Sequence, residues 1–174
     1  LLSYFGRVQY EYDDRYLLTA SIRRDGSSRF GKNSRWGIFP AISAAYRISN
    51  ENFWSKDFIV NSLKIRTSWG MNGNNSIPSN ASLAVLNNAN YTSGSIINGF
   101  APISLANQEL GWEKTDSWNI AFDMGLFKNR IFIFADYYIK TTKDLLYKVN
   151  VPALLGFTKA WGNIGSIRNK GFEI

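Results

Sequence analysis

Apolar and polar residues alternate along most of this 174-residue chain. The clearest case is residues 112–140, where two alternating runs flank a polar reversal at residues 127–130. The apolar positions are Trp118, Ile120, Phe122 and Met124 in the first run, and Ile131, Ile133, Ala135, Tyr137 and Ile139 in the second. A period of two predicts β-strands, because successive side chains point to opposite faces of a strand. Residues 112–140 are therefore predicted to form a β-hairpin.

The same period predicts an all-β fold with about seven strands. They cover residues 2–12, 16–23, 36–48, 63–70, 117–124, 131–140 and 166–174. Pro40 falls within the third run, and because proline cannot donate a ladder hydrogen bond, we expect a bulge or a local sheet edge there. Residues 49–61 break the alternation, and apolar residues recur there at roughly helical spacing: Phe53, Trp54, Phe58 and Ile59. This spacing predicts a short amphipathic turn or helix, capped by Ser49 or Asn50.

Short and long connections alternate along the chain, with residues 49–61 as the one exception among the short ones. Residues 13–15 and 127–130 are short links, whereas residues 25–35, 71–111 and 141–165 are long. A transmembrane β-barrel of up-and-down antiparallel strands has short periplasmic turns and long outer loops, and most soluble sandwiches give no reason for such alternation. Each run of the hairpin also approaches the ~9–11 residues that a tilted strand needs to cross a bilayer. The pattern favours a partial transmembrane barrel, with a soluble all-β binding or adhesin module as the alternative.

Charged residues within the predicted strands fall mostly on the less apolar face. They are Arg7, Glu11, Arg23, Lys64, Arg66, Asp123 and Asp136. Facing lipid, each Arg or Lys would cost roughly 2–4 kcal/mol at mid-depth, whereas a water-filled lumen accommodates it at little cost. Aromatic residues near the strand ends fit interfacial girdles: Tyr10, Tyr12, Tyr16, Trp36, Tyr46, Trp112, Trp118, Tyr137 and Tyr138. Both patterns predict an apolar outside and a polar inside.

A net charge of +7 and a pI near 9.7 raise the question of an anionic partner. The basic residues are spread over the chain rather than forming one stripe, so we expect no nucleic-acid partner. The densest group is Arg23, Arg24, Arg29, Lys32 and Arg35. We interpret it as a solvated loop and strand end, with contact to anionic lipid head groups as the sharper alternative.

The sequence offers little that could carry catalysis. Cysteine and histidine are absent, which excludes disulfides, thiol nucleophiles, imidazole bases and the usual zinc sites. Glu113 and Asp116 are an odd number of residues apart on a predicted strand, so they point to opposite faces and cannot flank one glycosidic bond. The Gly- and Asn-rich residues 70–75 lack the helix that a phosphate-binding loop needs. We expect no enzyme activity, catalytic residue, cofactor or metal.

Five segments, in this order, resemble SusC/RagA-like TonB-linked outer-membrane proteins. They are YFGRVQYEYDDRYLLTASIRRDGSSRFG, WGIFPAISAAYRIS, LKIRTSWGMNGNN, LGWEKTDSWNIAFDMGLFKNRIFIFADYYIKTTKDLL and GNIGSIRNKGFEI. The likeness weakens over residues 81–103. It implies that residues 1–174 belong to the C-terminal half of a barrel of about 22 strands. That barrel would lie in outer-membrane lipid of a Gram-negative cell, with its plug domain upstream of this fragment.

The resemblance also implies cargo and partners. Members of the family import oligosaccharides, or in some cases peptides, with energy from the TonB complex and a SusD-like surface lipoprotein as a lid. A siderophore or corrinoid importer is the alternative cargo class for such a barrel. Because sugars bind through aromatic stacking and amide hydrogen bonds, the candidate substrate-binding residues are in the outer loops: Asn74, Asn75, Asn90, Tyr91, Phe100 and Trp161. Packing within the loops, or contact with the lid, is the competing interpretation for each.

Overall fold

The computed structural model describes residues 1–55, 59–92, 94–152, 154, 156 and 158–174. The long strands are β1 Leu2–Tyr12, β2 Tyr16–Gly26, β3 Trp36–Arg47, β4 Val60–Asn74, β9 Glu113–Leu126, β10 Ile131–Lys143 and β13 Ser166–Glu173. They form a 7-stranded antiparallel sheet in the order β1-β2-β3-β4-β9-β10-β13. Each long strand therefore lies beside the next long strand along the chain, and the predicted all-β, up-and-down fold is confirmed. No helix in the described ranges is long and apolar enough to cross a membrane.

Short hairpins occupy parts of the chain that the sequence predicts to be loop. β5 Leu86–Asn88 pairs with β8 Phe100–Pro102, β6 Tyr91–Thr92 with β7 Ile96–Ile97, and β11 Leu146–Asn150 with β12 Lys159–Asn163. The predictions of unbroken loops over residues 71–111 and 141–165 are therefore wrong. Strands this short show no alternating pattern. They form because backbone groups in a packed loop need hydrogen-bond partners.

The ladder register sorts the sheet's side chains onto two faces, because directly paired residues of antiparallel strands point the same way. One row across all the long strands is Tyr10, Leu18, Ala44, Thr67, Ile120, Tyr137 and Phe172. The adjacent row is Glu11, Leu17, Ala45, Arg66, Ala121, Asp136 and Glu173. We call these sides the apolar face and the polar face. The strand charges predicted to share one side all lie on the polar face.

The two ends of the sheet differ in their connections. Residues 13–15 and 127–130 form tight reversals at one end, which we call the turn end. Residues 27–35, 75–112 and 144–165 connect strands at the opposite end, which we call the loop end. Asp13 and Asp14 adopt positive φ angles of 52° and 49°, which lets the first reversal close within a few residues. The connection over residues 48–59 also lies at the turn end and is longer than the two reversals. The predicted alternation of short and long connections is confirmed, with the predicted exception between β3 and β4.

Among its described residues, the connection from β3 to β4 forms a short turn rather than a helix, which is one of the two predicted outcomes. A single 3₁₀ turn covers Ile48–Asn50, and it has no side-chain cap from Ser49 or Asn50. Asn50 Nδ2 instead donates to the backbone carbonyl and to the carboxylate of Asp14, at 2.9 Å each. The segment is thus drawn into the neighbouring β1–β2 reversal, which competes with helix capping. Phe58 of the predicted helical pattern lies outside the described residues.

Glu51 strengthens the same end of the sheet. Its carboxylate accepts hydrogen bonds from Arg15 Nη1 at 3.1 Å, Tyr46 Oη at 2.9 Å and Tyr16 Oη at 3.1 Å. These donors come from the first reversal, from β3 and from β2. One carboxylate therefore joins the β3–β4 connection to two strands.

Aromatic rings line both ends of the apolar face. Tyr16 stacks on Tyr46 at 4.9 Å between ring centroids at the turn end, and Tyr4 stacks on Trp36 at 6.1 Å toward the loop end. Two members of the predicted girdles lie elsewhere. Trp112 is buried within the loops at 6% exposure, and Tyr138 pairs with Gly171 on the polar face.

β3 and β4 separate toward the loop end. Their ladder ends at Ala41 and Gly70, whereas β3 stays paired with β2 as far as Trp36. Pro40 is the first β3 residue beyond the β4 ladder, so the predicted local edge is confirmed and its missing N–H leaves no ladder bond unmade. The register shift in the β4–β9 ladder lies between Val60 and Ser62 instead.

The ring of Phe39 fills the gap between the separated strands. A Cβ atom placed on Gly37 of β3 would lie 2.4 Å from Phe39 Cζ, and one on Gly73 of β4 would lie 2.1 Å from it. Both distances are too short for non-bonded carbon atoms, so glycine is needed on each side of the ring. Phe39 is itself buried, at 4% exposure.

Candidate functional site

The connections at the loop end pack around a small apolar core, and we call this assembly the loop layer. Its buried residues are Phe30, Phe39, Ile77, Ala81, Leu110 and Trp112, with Met71, Leu146 and Trp161 packed against them. The Trp112 ring is central, because its centroid lies 5.0 Å from Phe30 and 5.3 Å from Phe39. Residues from three separate connections and two strands therefore share one core, which holds the loop layer against the sheet.

Two asparagines join the loops through backbone hydrogen bonds. Asn163 Nδ2 donates to the carbonyls of Gly111 and Asp144 at 2.9 Å each, and Asn163 Oδ1 accepts from the Gly111 N–H at 2.8 Å. Asn107 Nδ2 donates to the carbonyl of Trp161 at 3.0 Å. The sequence analysis missed both residues. No periodic or motif signal could have found them, because Gly111 and Trp161 are 52 and 54 residues distant from their partners.

Asn74 and Asn75, two of the predicted substrate-binding residues, make contacts within the protein. Asn74 Nδ2 donates to Glu113 Oε1 at 3.0 Å. Asn75 Nδ2 donates to Ser27 Oγ at 3.2 Å, and the Asn75 carbonyl accepts from Arg29 Nη1 at 3.0 Å. These hydrogen bonds fit the competing interpretation of packing within the loops. A direct role for either side chain in binding stays a prediction.

Asn90, Tyr91 and Phe100 lie on the two small hairpins formed by β5–β8 and β6–β7. The Ala89 N–H donates to the Gly99 carbonyl at 2.8 Å, which joins the two hairpins end to end. Tyr91 is 57% exposed and Phe100 is 72% exposed. Asn90 is exposed as well. All three side chains are therefore accessible to a ligand, and their role in binding stays a prediction.

Trp161 lies in β12 and lines an open cleft of about 570 Å³. The cleft is formed mainly by residues 78–85 and 102–105 on one side and by Lys148 and residues 158–161 on the other. Lys148 Nζ lies 5.4 Å from the Trp161 ring centroid, and Lys159 also lines the cleft. The volume is within the range of small-ligand pockets. Trp161 also packs against the loop core, which fits the competing interpretation, and its role in binding stays a prediction.

An ion-pair network occupies the polar face below the loop layer. Asp123 accepts from Arg66 Nε at 2.9 Å, from Arg66 Nη2 at 2.8 Å and from Lys64 Nζ at 2.8 Å. Arg66 Nη2 also lies 3.6 Å from Asp136 Oδ2, and Asn119 Nδ2 donates to Asp136 Oδ1 at 3.3 Å. Cations and carboxylates balance each other here across three strands. Among the described residues, no group of acidic side chains could hold a metal ion.

The densest basic group of the sequence divides among three environments. Arg23 lies on the polar face, where its Nε is 2.7 Å from Asp25 Oδ2. Arg24 lies on the apolar face with its Cζ 4.6 Å from the Trp36 ring centroid. Arg29 is held inside the loop layer. The group therefore forms no single patch for lipid head groups, because successive β2 residues point to opposite faces. All of its members except the half-buried Arg29 are exposed, which fits the predicted solvated loop and strand end.

Comparison with known proteins shows which family the chain belongs to. Residues 2–174 match the family described as TonB dependent receptor-like, beta-barrel. The chain belongs to the TonB-dependent receptors. The resemblance found in the sequence segments is thereby confirmed, and the 7-stranded sheet is part of a receptor barrel.

Relatives of this receptor chain are much longer than the chain itself. It is 47% identical over 174 residues to TonB-dependent receptor P39 of Formosa agariphila, covering 100% of this chain and 17% of P39. It is 39% identical over 179 residues to TonB-dependent receptor SusC of Bacteroides thetaiotaomicron, covering 99% of this chain and 18% of SusC. The solved RagAB peptide importer in its closed-closed state superposes with a TM-score of 0.89 at 32% identity, covering 98% of this chain and 18% of that chain.

Proposed function

We propose that this receptor chain is a wall segment of an outer-membrane nutrient importer. The observation that carries the proposal is the two-faced sheet. Tyr10, Leu18, Ile120, Tyr137 and Phe172 of one apolar-face row are each 40–64% exposed. Soluble proteins rarely leave so continuous an apolar surface uncovered, whereas lipid covers it in a membrane barrel.

The polar face would line the water-filled interior of that barrel. It carries Lys64, Arg66, Asp123 and Asp136 as mutually compensated charges. Such groups cost little beside water and much beside lipid, so the polar face is the inner one. The alternative of a soluble adhesin leaves the apolar face without a partner.

The direction across the membrane follows from the two ends of the sheet. Barrel proteins of the outer membrane keep short turns on the periplasmic side and long loops on the cell surface. The turn end would therefore face the periplasm and the loop end the exterior. The loop layer, with its cleft beside Trp161 and its exposed Tyr91 and Phe100, would form part of the chamber that receives cargo.

Oligosaccharides are the proposed cargo, and peptides are the second class. Exposed aromatic rings beside an amide, as at Asn90, Tyr91 and Phe100, suit stacking on sugar rings and hydrogen bonding to hydroxyls. The peptide class rests on the likeness to RagAB, a peptide importer by name. The TonB complex would supply the energy for import, and a SusD-like surface lipoprotein would act as the lid. Both would act through the full-length receptor.

The test compares cells that carry the full-length receptor with cells that lack its gene. Fractionation should place the receptor in the outer membrane. Uptake of labelled oligosaccharides should fall in the deletion strain and on collapse of the proton gradient. Loss of peptide uptake alone would select the second class, and loss of siderophore or corrinoid uptake alone would replace both. Recovery of the receptor in the soluble fraction would overturn the proposal.

A further inference from the structure

The cleft beside Trp161 carries its positive charge on one wall. The pairing of β11 with β12 places Lys148 directly opposite Trp161, and Lys159 lies two residues before Trp161 on β12. Directly paired residues, and residues two apart on one strand, share a face of a sheet. Both lysines therefore lie on the same face of this hairpin as the indole ring. Both are exposed, and all three residues line the cleft.

The indole ring of Trp161 holds Lys148 in place without neutralising it. Lys148 Nζ lies 5.4 Å from the ring centroid, which is within the range of a cation–π contact. Trp161 is itself fixed, because it packs against the loop core and its carbonyl accepts a hydrogen bond from Asn107 Nδ2 at 3.0 Å. An aromatic face has no net charge, so the ammonium group keeps its positive charge for an anion in the cleft.

The carboxylates of the loop layer are directed away from the cleft. Glu113 Oε2 accepts a hydrogen bond from the Leu146 N–H at 3.0 Å. Glu109 and Asp144 line a separate pocket. Among the described residues that line the cleft, none is acidic. Because these carboxylates belong to the same connections as the cleft, its positive charge follows from the way in which this chain packs its own loops.

The opposite wall of the cleft is mainly apolar. It includes Pro78, Ala81, Val85, Pro102, Ile103 and Leu105. The Ser104 hydroxyl on this wall is engaged within the loop, because it accepts from the Val85 N–H and donates to the Leu83 carbonyl, at 2.9 Å each. An apolar wall suits the C–H faces of sugar rings. It also reduces the water around an anion beside the lysines, which strengthens their attraction for it.

We infer that this cleft binds acidic oligosaccharides, whose sugars carry carboxylate or sulfate groups. The role of the cleft as a cargo site rests on the proposed function. Lys148 and Lys159 are diagonal neighbours in the ladder, and such positions lie roughly 7–8 Å apart. Their long, flexible side chains can therefore contact acid groups of one short oligosaccharide. Trp161 acts as a positioning residue for Lys148, and a neutral oligosaccharide gains nothing from either lysine's charge.

The test is isothermal titration calorimetry on the full-length receptor in detergent. The probes are an oligogalacturonate, a sulfated oligosaccharide and a neutral oligosaccharide of the same length. At least one acidic probe should bind more tightly than the neutral one, and added salt should reduce this preference. K148Q/K159Q should lower the affinity for that acidic probe by roughly fivefold for each lysine removed. It should leave the affinity for the neutral probe unchanged.

Matched variants separate this charge effect from misfolding. K32Q/K128Q removes two exposed lysines from a loop and a turn, and should keep the preference for the acidic probe. K148R/K159R retains both charges and should keep it too. Trp161→Leu should lower the ratio of acidic to neutral affinity, because Lys148 loses its aromatic contact. Trp161→Phe restores an aromatic face and should recover most of that ratio.

Three outcomes would overturn the inference. The first is equal affinity of the unmodified receptor for acidic and neutral probes, and the second is an equal effect of K148Q/K159Q and K32Q/K128Q. The third is that K148Q/K159Q weakens binding of an acidic peptide but of no oligosaccharide. If cells still import neutral oligosaccharides through the receptor, these outcomes leave the proposed function intact. A receptor that neither binds nor imports any oligosaccharide would refute both.

Discussion

The Arg66 guanidinium holds the carboxylate of Asp123 on the neighbouring strand through Nε and Nη2, at distances of 2.8–3.0 Å. The two residues are not direct ladder partners, because Arg66 pairs with Ala121 and Asp123 pairs with Lys64. The small side chain of Ala121 leaves room for Arg66 to reach Asp123 diagonally and Asp136 on the next strand. One carboxylate thereby compensates two cations on the polar face.

Asp123→Asn should therefore weaken the barrel wall. The amide cannot compensate Lys64 and Arg66, so we expect the free energy of unfolding to fall by about 1–2 kcal/mol, since both cations are partly solvated. Urea unfolding of the full-length receptor in detergent micelles measures the change. Asp13→Asn is the matched control, since Asp13 is an exposed carboxylate in a reversal and should change stability by less than about 0.5 kcal/mol. Equal effects of the two substitutions would contradict the proposed importance of the network.

Gly73→Ala should destabilise the receptor through a clash with Phe39. The new Cβ would lie 2.1 Å from Phe39 Cζ, and such overpacking costs about 1–3 kcal/mol. The added Phe39→Ala substitution removes the clashing ring, so the double variant should lose less stability than the two single losses combined. The same unfolding assay gives this coupling. Gly6→Ala is the control and should be nearly neutral, because its Cβ would lie at an ordinary contact distance of 3.9 Å from Ile22 Cγ2. If the stability losses of Gly73→Ala and Phe39→Ala simply add in the double variant, the interpretation of a clash is wrong.

Asn163→Ala should loosen the loop layer while leaving the sheet intact. It removes the hydrogen bonds to Gly111 and to the Asp144 carbonyl, so the Gly111 N–H loses its partner. Hydrogen exchange should accelerate at Gly111 by roughly tenfold or more, which corresponds to a loss of about 1–3 kcal/mol in local stability. Mass-spectrometric exchange on the full-length receptor compares this region with β9 and β10. Asn150→Ala, on an exposed side chain, is the control, and unchanged exchange at Gly111 would show that Asn163 does not hold the loops.

Phe100→Ala and Trp161→Ala should have different consequences. Phe100 is 72% exposed, so its loss should reduce cargo binding without changing the unfolding midpoint. Trp161 packs against the loop core, so its loss should reduce both quantities. Titration of the full-length receptor with oligosaccharide, alongside unfolding, separates the two effects. If Phe100→Ala binds cargo as tightly as the unmodified receptor, the assignment of Phe100 to the substrate site is wrong.

The features that could be predicted from the sequence are those that depend on local backbone geometry. A strand places successive side chains on opposite faces, so the alternation around Trp118, Ile120 and Phe122 specifies the two faces of β9 without knowledge of its neighbours. The lengths of the connections then indicate an up-and-down order, and the quoted segments indicate the family. Strand boundaries were less accurate, because the ends of β4 and β10 enter the loop layer, where the alternation fades.

Contacts between distant parts of the chain were decided only by the tertiary structure. Asn163 meets Gly111, Phe39 fills the gap beside Gly73, and Lys148 faces Trp161 because of ladder register and loop packing, which leave no periodic signal in the sequence. The candidate substrate residues divide for the same reason, since neighbouring loops engage Asn75 and leave Phe100 exposed. The sequence by itself determined the strands, their faces and the family, because these depend on local side-chain direction. The tertiary structure decided which side chains meet, because that depends on register and packing between segments far apart in the chain.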